Sequence, residues 1–172
     1  IGKTYAYLAA GAVFHRLRST RGQGHRPILI STSSIALQNA VQTEYLPLLS
    51  AAMLEDGMID QPLTAVIRKG KFHYACRQRL ERRLLQIKLS KKNERTIEGL
   101  LSLREHLDMD SVPHLSSYDR DRVCVPQVCD CSQEDCRYRA FLEDCGNGEF
   151  AFQICNHNLL LADAIHQSTG RS

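Results

Sequence analysis

The sequence lacks any apolar run approaching the length of a bilayer span, which excludes a helical membrane anchor within its 172 residues. Its N-terminus lacks the charged-then-apolar pattern of a secretory signal, so an oxidised, extracellular disulfide scaffold is not expected. There is no low-complexity stretch of the kind that enforces disorder, and no internal repeat that would argue for a solenoid. An initiator methionine is missing as well. The chain opens on Ile1-Gly2-Lys3-Thr4 and closes on Gln167-Ser168-Thr169-Gly170-Arg171-Ser172, which reads as a loop cut midway, and it is expected to be an internal piece of a longer protein. What is present, 43% hydrophobic and 24% charged residues, is a globular composition long enough to bury one ordinary core.

The net charge of +3 hides an uneven distribution. Arg68 to Arg104 carries twelve Lys/Arg against three acids, a net of +9, whereas from Glu105 onward five Arg face twelve Asp/Glu, a net of −7. A concentrated positive surface suits a polyanion, because phosphate contacts release condensed counterions. A solvated basic helix face is the plainer alternative.

Apolar periodicity outlines an α/β layer. A helix is expected over 2–19, with Tyr7, Ala10, Phe14 and Leu17 recurring at three- and four-residue steps. Residues 27–32 form a short apolar run ending in hydroxyls, the look of a buried parallel strand. A second helix over roughly 34–49 carries Leu37, Val41, Tyr45 and Leu48 along one side, capped by Ser33 or Ser34, and 64–68 is another strand. Helix and strand alternating at this spacing argue for a parallel sheet. Beyond Gly70 the character changes. Residues 76–89 read as a helix with Leu80, Leu84 and Ile87 on one stripe, 91–107 as a further helix, and 112–148 as irregular and cysteine-rich. Residues 150–155 then return to strand, followed by a capped helix over 159–165.

Seven cysteines occur, at 76, 124, 129, 131, 136, 145 and 155, five of them within twenty-two positions. Cys124-x4-Cys129-x6-Cys136 with Cys76 upstream supplies four thiolates, a donor set that suits a 4Fe–4S cluster. A four-cysteine zinc site uses the same ligands, but such sites pair close cysteines at both ends, and Cys76 has no close partner. Cys131 stands four residues' spacing from Cys136 and can replace Cys129 as a ligand. Cys145 is either a spare ligand or a loop thiol, and Cys155 reads as a packed core thiol.

Gly2-Lys3-Thr4 ahead of a helix matches the end of a phosphate-binding loop, G-x-x-x-x-G-K-S/T, whose first glycine would precede residue 1. In that motif backbone N–H groups and the positive helix end cradle phosphate oxygens, the Lys pairs with the outer phosphates and the hydroxyl holds Mg²⁺. So short a match also arises by coincidence.

These residues resemble, in order, the DinG/XPD-like superfamily 2 iron–sulfur DNA helicases. Gly2-Lys3-Thr4-Tyr5-x-Tyr7-Leu8 and Ile30-Ser31-Thr32-Ser33-x-x-Leu37-Gln38 are similar to motifs I and Ia. Lys69-Gly70-Lys71-Phe72-His73-Tyr74-Ala75-Cys76 resembles the K-G-R-x-x-Y-x-C segment that holds the first cluster ligand, and Cys136-Arg137-Tyr138-Arg139-Ala140 the close of the cysteine group. Ile154-Cys155-Asn156-His157-Asn158-Leu159-Leu160-Leu161 resembles the V-x-N-H-x-L-L after the cluster domain. The Cys129–Cys136 spacing is x6 where the family has x5, and the D-E-A-H box and all second-motor motifs are absent.

The resemblance implies a partial P-loop RecA-like motor domain interrupted by a small helical, cysteine-rich iron–sulfur insertion: 1–70 as the first part of the ATP-binding domain, 71–148 as the cluster domain, and 149–172 as the return to the motor. It implies ATP and Mg²⁺ at Gly2, Lys3 and Thr4, and a 4Fe–4S cluster on Cys76, Cys124, Cys129 and Cys136. Single-stranded and forked duplex DNA would be held by Ser33, Lys69, Lys71, Arg77 and Arg79, with Phe72, His73 or Tyr74 stacking on a base unless they pack on the cluster. Ser31 to Ser33 would hold a DNA phosphate or cap the next helix, and Asn156 with His157 reads as a cap. The implied whole is a monomeric 5′→3′ translocase of the bacterial cytoplasm, with no residue of this piece directly catalytic and no ATPase expected from it alone. Two other classes stay open: a zinc-binding nucleic-acid module in which Gly-Lys-Thr is coincidental, and a P-loop kinase or GTPase, for which the guanine-specificity motif is missing.

Overall fold

A computed structural model describes residues 2–22, 26–88, 94–129, 136–146 and 150–168. The chain divides into two compact units, Ile1–Lys69 with Glu143–Ser172, and Gly70–Leu142.

The first unit is built on three parallel strands, β1 (Ile28–Ser31), β2 (Ala65–Arg68) and β3 (Phe152–Cys155), in the order β1-β3-β2. The last strand in sequence is therefore the middle one, and Ser31, Cys155 and Arg68 come into register across its end. The parallel arrangement is what alternating helix and strand led one to expect. Phe152 and Ile154 are buried beneath α1 (Lys3–Thr20) together with Leu8 and Ala12. Gly11 makes that contact close: a Cβ there would lie 2.9 Å from the Phe152 ring.

Two expectations about helix faces are corrected. In α1 the residues turned inward are Leu8 and Ala12, while the expected stripe of Tyr7, Phe14 and Leu17 is exposed. In the second helix, α2 (Ile35–Ala40) runs through a π-turn at Val41–Tyr45 into α3 (Leu46–Glu55). Leu46 N–H bonds back to the Val41 carbonyl, five residues earlier. Pro47 supplies a physical reason, since it has no N–H and its ring crowds the carbonyl four positions before it. The extra residue rotates the apolar stripe, so Leu46, Ser50 and Met53 are buried after Val41, and Leu48 faces outward.

The second unit is helical. α4 (Arg77–Lys88) buries Leu80, Leu84 and Ile87, the stripe expected of it, against Leu100 of α5 (Glu94–Ser102) and Val123 of α6 (Ser117–Val123). Residues 112–148 are less irregular than expected, for they contain α6 and α7 (Arg137–Gly146). The sequence signals were present: Ser116 caps α6 by accepting from Asp119 N–H, a serine and an acid three apart. Tyr138, Phe141, Leu142 and Cys145 repeat at helical steps. The C-terminal helix α8 spans His157–Ser168. Among the described residues, no helix is long and apolar enough to cross a membrane.

Candidate functional site

Each unit presents a candidate site. In the first, Gly2 adopts φ 95°, a left-handed conformation that glycine enters without a Cβ penalty, and α1 begins at the next residue. Among the described residues no side chain caps this helix start, and, its chain neighbours apart, none lies within 4 Å of where a Gly2 Cβ would stand. Lys3 is exposed there and Thr4 half-buried. Uncapped first-turn N–H groups beside a lysine and a hydroxyl are the elements of an anion cradle.

At the carboxyl ends of the strands, hydrogen bonds tie α8 to the sheet. Ser31 Oγ lies 2.6 Å from His157 Nδ1, and Arg68 makes a two-pronged pair with Asp163 at 2.5 and 3.2 Å. Asn156 Oδ1 accepts from Leu159 N–H at 2.7 Å, so Asn156 is the cap that the sequence suggested. Of the two candidate serines, Ser34 is the cap of α2, accepting from Leu37 N–H, and Ser33 is exposed. Cys155 is buried as expected, and burial raises its thiol pKa, with the Ser31 hydrogen bond and the Arg68 charge acting in the opposite sense. Burial likewise raises Cys145.

The second unit contains a cavity of about 270 Å³ whose lining includes Cys76, Cys129 and Cys136. Three elements bring them there. Cys76 precedes α4, with its N–H bonded to the Val123 carbonyl at 2.7 Å. Cys136 immediately precedes α7, whose Arg137 donates to the carbonyls of Leu103, Arg104 and Glu105 and so locks the helix start in place. Cys129 is exposed on the segment after Val125, which is itself bonded to Tyr74. Tyr74, only 2% exposed, packs on Tyr138 and Phe141 at ring separations of 5.3 and 5.0 Å. Tyr74 is thus a packing residue, and base stacking by it is ruled out.

Cys124 is close in backbone terms, since Ala75 and Cys124 form an antiparallel bridge. Its Sγ, however, is turned to the Asp121 carbonyl at 3.5 Å, and Cys124 is not among the described residues lining the cavity. Arg79 stands 3.6 Å from that sulfur and donates to the Cys124 and Asp121 carbonyls. Cys131 lies outside the described residues. Cys145 belongs to the other unit.

The donor set fits an iron–sulfur cluster in chemistry. Three thiols and the side chains of Lys71, Arg77, Arg137 and Arg139 line the cavity, with no carboxylate among its described lining residues. Positive neighbours suit a thiolate-rich, net-negative group. Among the described residues no three His, Cys, Asp or Glu side chains are gathered closely enough for a single metal ion. A cluster spreads its thiolates over several irons and needs no such tight gathering.

Of the residues expected to meet nucleic acid, Arg77 and Ser33 are exposed and Lys69 half-buried. Lys71 donates to the Gln127 carbonyl at 2.5 Å, and Arg79 is committed to the carbonyls named above. Arg137 and Arg139, not singled out by the sequence reading, also border the cavity.

Taken together, a parallel α/β unit with a Gly-Lys-Thr helix start accompanies a helical unit holding a thiol-lined cavity. The chain is 26% identical, over 98% of its length, to the ATP-dependent DNA helicase YoaA of Escherichia coli (strain K12). It is 35% identical, over 47% of its length, to the 3′-5′ exonuclease DinG of Bacillus subtilis (strain 168). It spans 26% of the first relative's length and 7% of the second's. No family model and no solved structure matches it.

Proposed function

We propose that the chain is part of an ATP-dependent DNA helicase that couples ATP hydrolysis to 5′→3′ movement on single-stranded DNA and opens forked duplexes, working as a monomer. The observation that carries this reading is the convergence of Cys76, Cys129 and Cys136 on one cavity from distant parts of the sequence. Similarity along almost the whole chain to a protein named as a DNA helicase supports it independently.

In this reading Gly2 and the first N–H groups of α1 receive the phosphates of ATP, Lys3 neutralises the outer ones, and Thr4 holds Mg²⁺. Cys76, Cys124, Cys129 and Cys136 hold a 4Fe–4S cluster, with Cys124 turning its sulfur away from Asp121. When bound, the cluster would cross-link the segments before α4, after α6 and before α7. Arg77 and Ser33 offer exposed groups to DNA phosphates, joined by Lys69, Lys71 and Arg79.

Metal and sulfide analysis of the anaerobically purified chain tests the cluster. About four irons per chain and a brown chromophore are expected, and Ser in place of Cys76, Cys124, Cys129 or Cys136 should remove most of the iron. A colourless protein with one zinc would establish the zinc module instead. Iron lost on Cys131→Ser but kept on Cys129→Ser would transfer the ligand role to Cys131. For the nucleotide site, Lys3→Ala should abolish ATP binding by the parent protein, and undiminished binding would sink that assignment.

A further inference from the structure

Two aromatic rings of the second unit that are more than half exposed differ in what surrounds them. Tyr118, 52% exposed, already carries the guanidinium groups of Arg83 and Arg122, 5.0 and 4.3 Å from its ring centre. Phe72, 55% exposed, has the Lys71 ammonium 5.8 Å from its ring centre and is not among the described residues lining the thiol cavity. Packing against a cluster, the plain alternative for this ring, therefore does not account for it.

A single exposed apolar side chain is ordinary on a protein surface. Phe72 is distinguished by its mounting. It is the central residue of the 3₁₀ turn Lys71–His73, closed by His73 N–H to Gly70 O at 2.9 Å and Tyr74 N–H to Lys71 O at 3.1 Å. Both neighbours are anchored by their side chains, Lys71 to the Gln127 carbonyl and His73 to Asp110 at 2.9 Å. Tyr74 then plunges into the aromatic packing beneath. The backbone under the ring is thus fixed in advance from both sides, so little backbone order is lost when the ring face meets a flat partner. A lysine beside the ring, within the most basic stretch of the chain, selects a flat partner that is also anionic.

We infer that Phe72 is a stacking platform for an unpaired nucleobase of the bound single strand, with Lys71 beside it facing the adjoining backbone. This rests on the nucleic-acid reading proposed above and selects, among the three neighbouring rings named in the sequence, the one whose exposure and fixed backbone suit the contact. Stacking accepts any base, because each has a π-face, so the contact grips without reading sequence.

The chain contains no tryptophan, so Phe72→Trp installs a single indole at the platform. Titrated with a short oligothymidylate, this variant should lose emission as a base covers the indole. An abasic oligomer of equal length and charge should leave the emission unchanged. Phe72→Ala should weaken oligothymidylate binding by about 5- to 100-fold while binding the abasic oligomer as the unsubstituted chain does, and Phe72→Tyr should restore the affinity. Equal binding of oligothymidylate by the Ala variant and the unsubstituted chain, or emission that responds alike to both oligomers, overturns the platform and leaves phosphate binding standing. Failure of the unsubstituted chain to bind either oligomer overturns both the platform and the nucleic-acid reading beneath it.

Discussion

Arg83 and Asp119 are thirty-six positions apart, yet they form the buried ion pair of the second unit, with contacts of 2.6 and 2.9 Å. Their side chains are 8% and 2% exposed, and the second Asp119 oxygen accepts from the Ser116 hydroxyl at 2.6 Å. Removing one member of such a pair strands the other charge away from water. Asp119→Ala should therefore cost about 3–5 kcal/mol, read as a lower denaturation midpoint. A double replacement by apolar residues of similar volume should cost far less, and equal losses in both variants would show that the stranded charge is not what destabilises Asp119→Ala. The thiols of Cys155 and Cys145 give a pH dependence. Both pKa values are raised in the folded state, first by burial, so the protonated form is favoured there more than in the unfolded chain. Their contribution to stability is complete below the ordinary thiol range and is lost as pH rises through that range toward the folded values. Denaturant midpoints of the Cys155→Ala variant should accordingly fall less steeply at alkaline pH than those of the parent chain.

Helix faces were legible as periodicities but not always as inward directions. The α4 stripe came through because Leu80, Leu84 and Ile87 sit on a helix whose other faces are basic, leaving one way to turn. In α1, two apolar sides compete, and the one with the smaller residues faces the sheet because Phe152 fills the space there. Gly11→Ala tests this: overpacking costs about 1–3 kcal/mol, against a helix-propensity gain of about 1 kcal/mol. A net fall in melting temperature is expected, and a rise would mean that the Phe152 ring yields easily. The π-turn at Val41–Tyr45 shows how one proline upset an otherwise sound stripe. Pro47→Ala should let the helix recover regular bonding, with altered protection of the 41–47 amides in hydrogen exchange as its signature.

At the scale of the whole molecule, two units with separate cores share one chain, and the second is inserted between two stretches of the first. Under the proposed function, oxidative loss of the cluster should raise hydrogen exchange across 70–142 far more than in the β-sheet of the other unit. Equal loosening of both would argue that they unfold together. These 172 residues contain no D-E-A-H sequence, and with it lack the acidic pair that completes a Mg²⁺ and water site. The chain alone is expected to hydrolyse no ATP, so measurable turnover in a phosphate-release assay would contradict the assignment.

By itself the sequence determined the alternation of helix and strand in the first unit, its parallel α/β character, the candidate anion loop and the inventory of thiols, because each depends on residues near one another in the chain, whereas α6 and α7 went unread. It also supplied the Asn156 cap, which spans four residues. Tertiary structure alone decided which thiols share a cavity, which way α1 turns, and that Tyr74 is buried while Phe72 is presented to solvent. It also revealed that Arg79 is held by carbonyls of its own unit. Those outcomes depend on how distant segments compete for the same space and the same hydrogen bonds, and no local pattern of side chains encodes that competition.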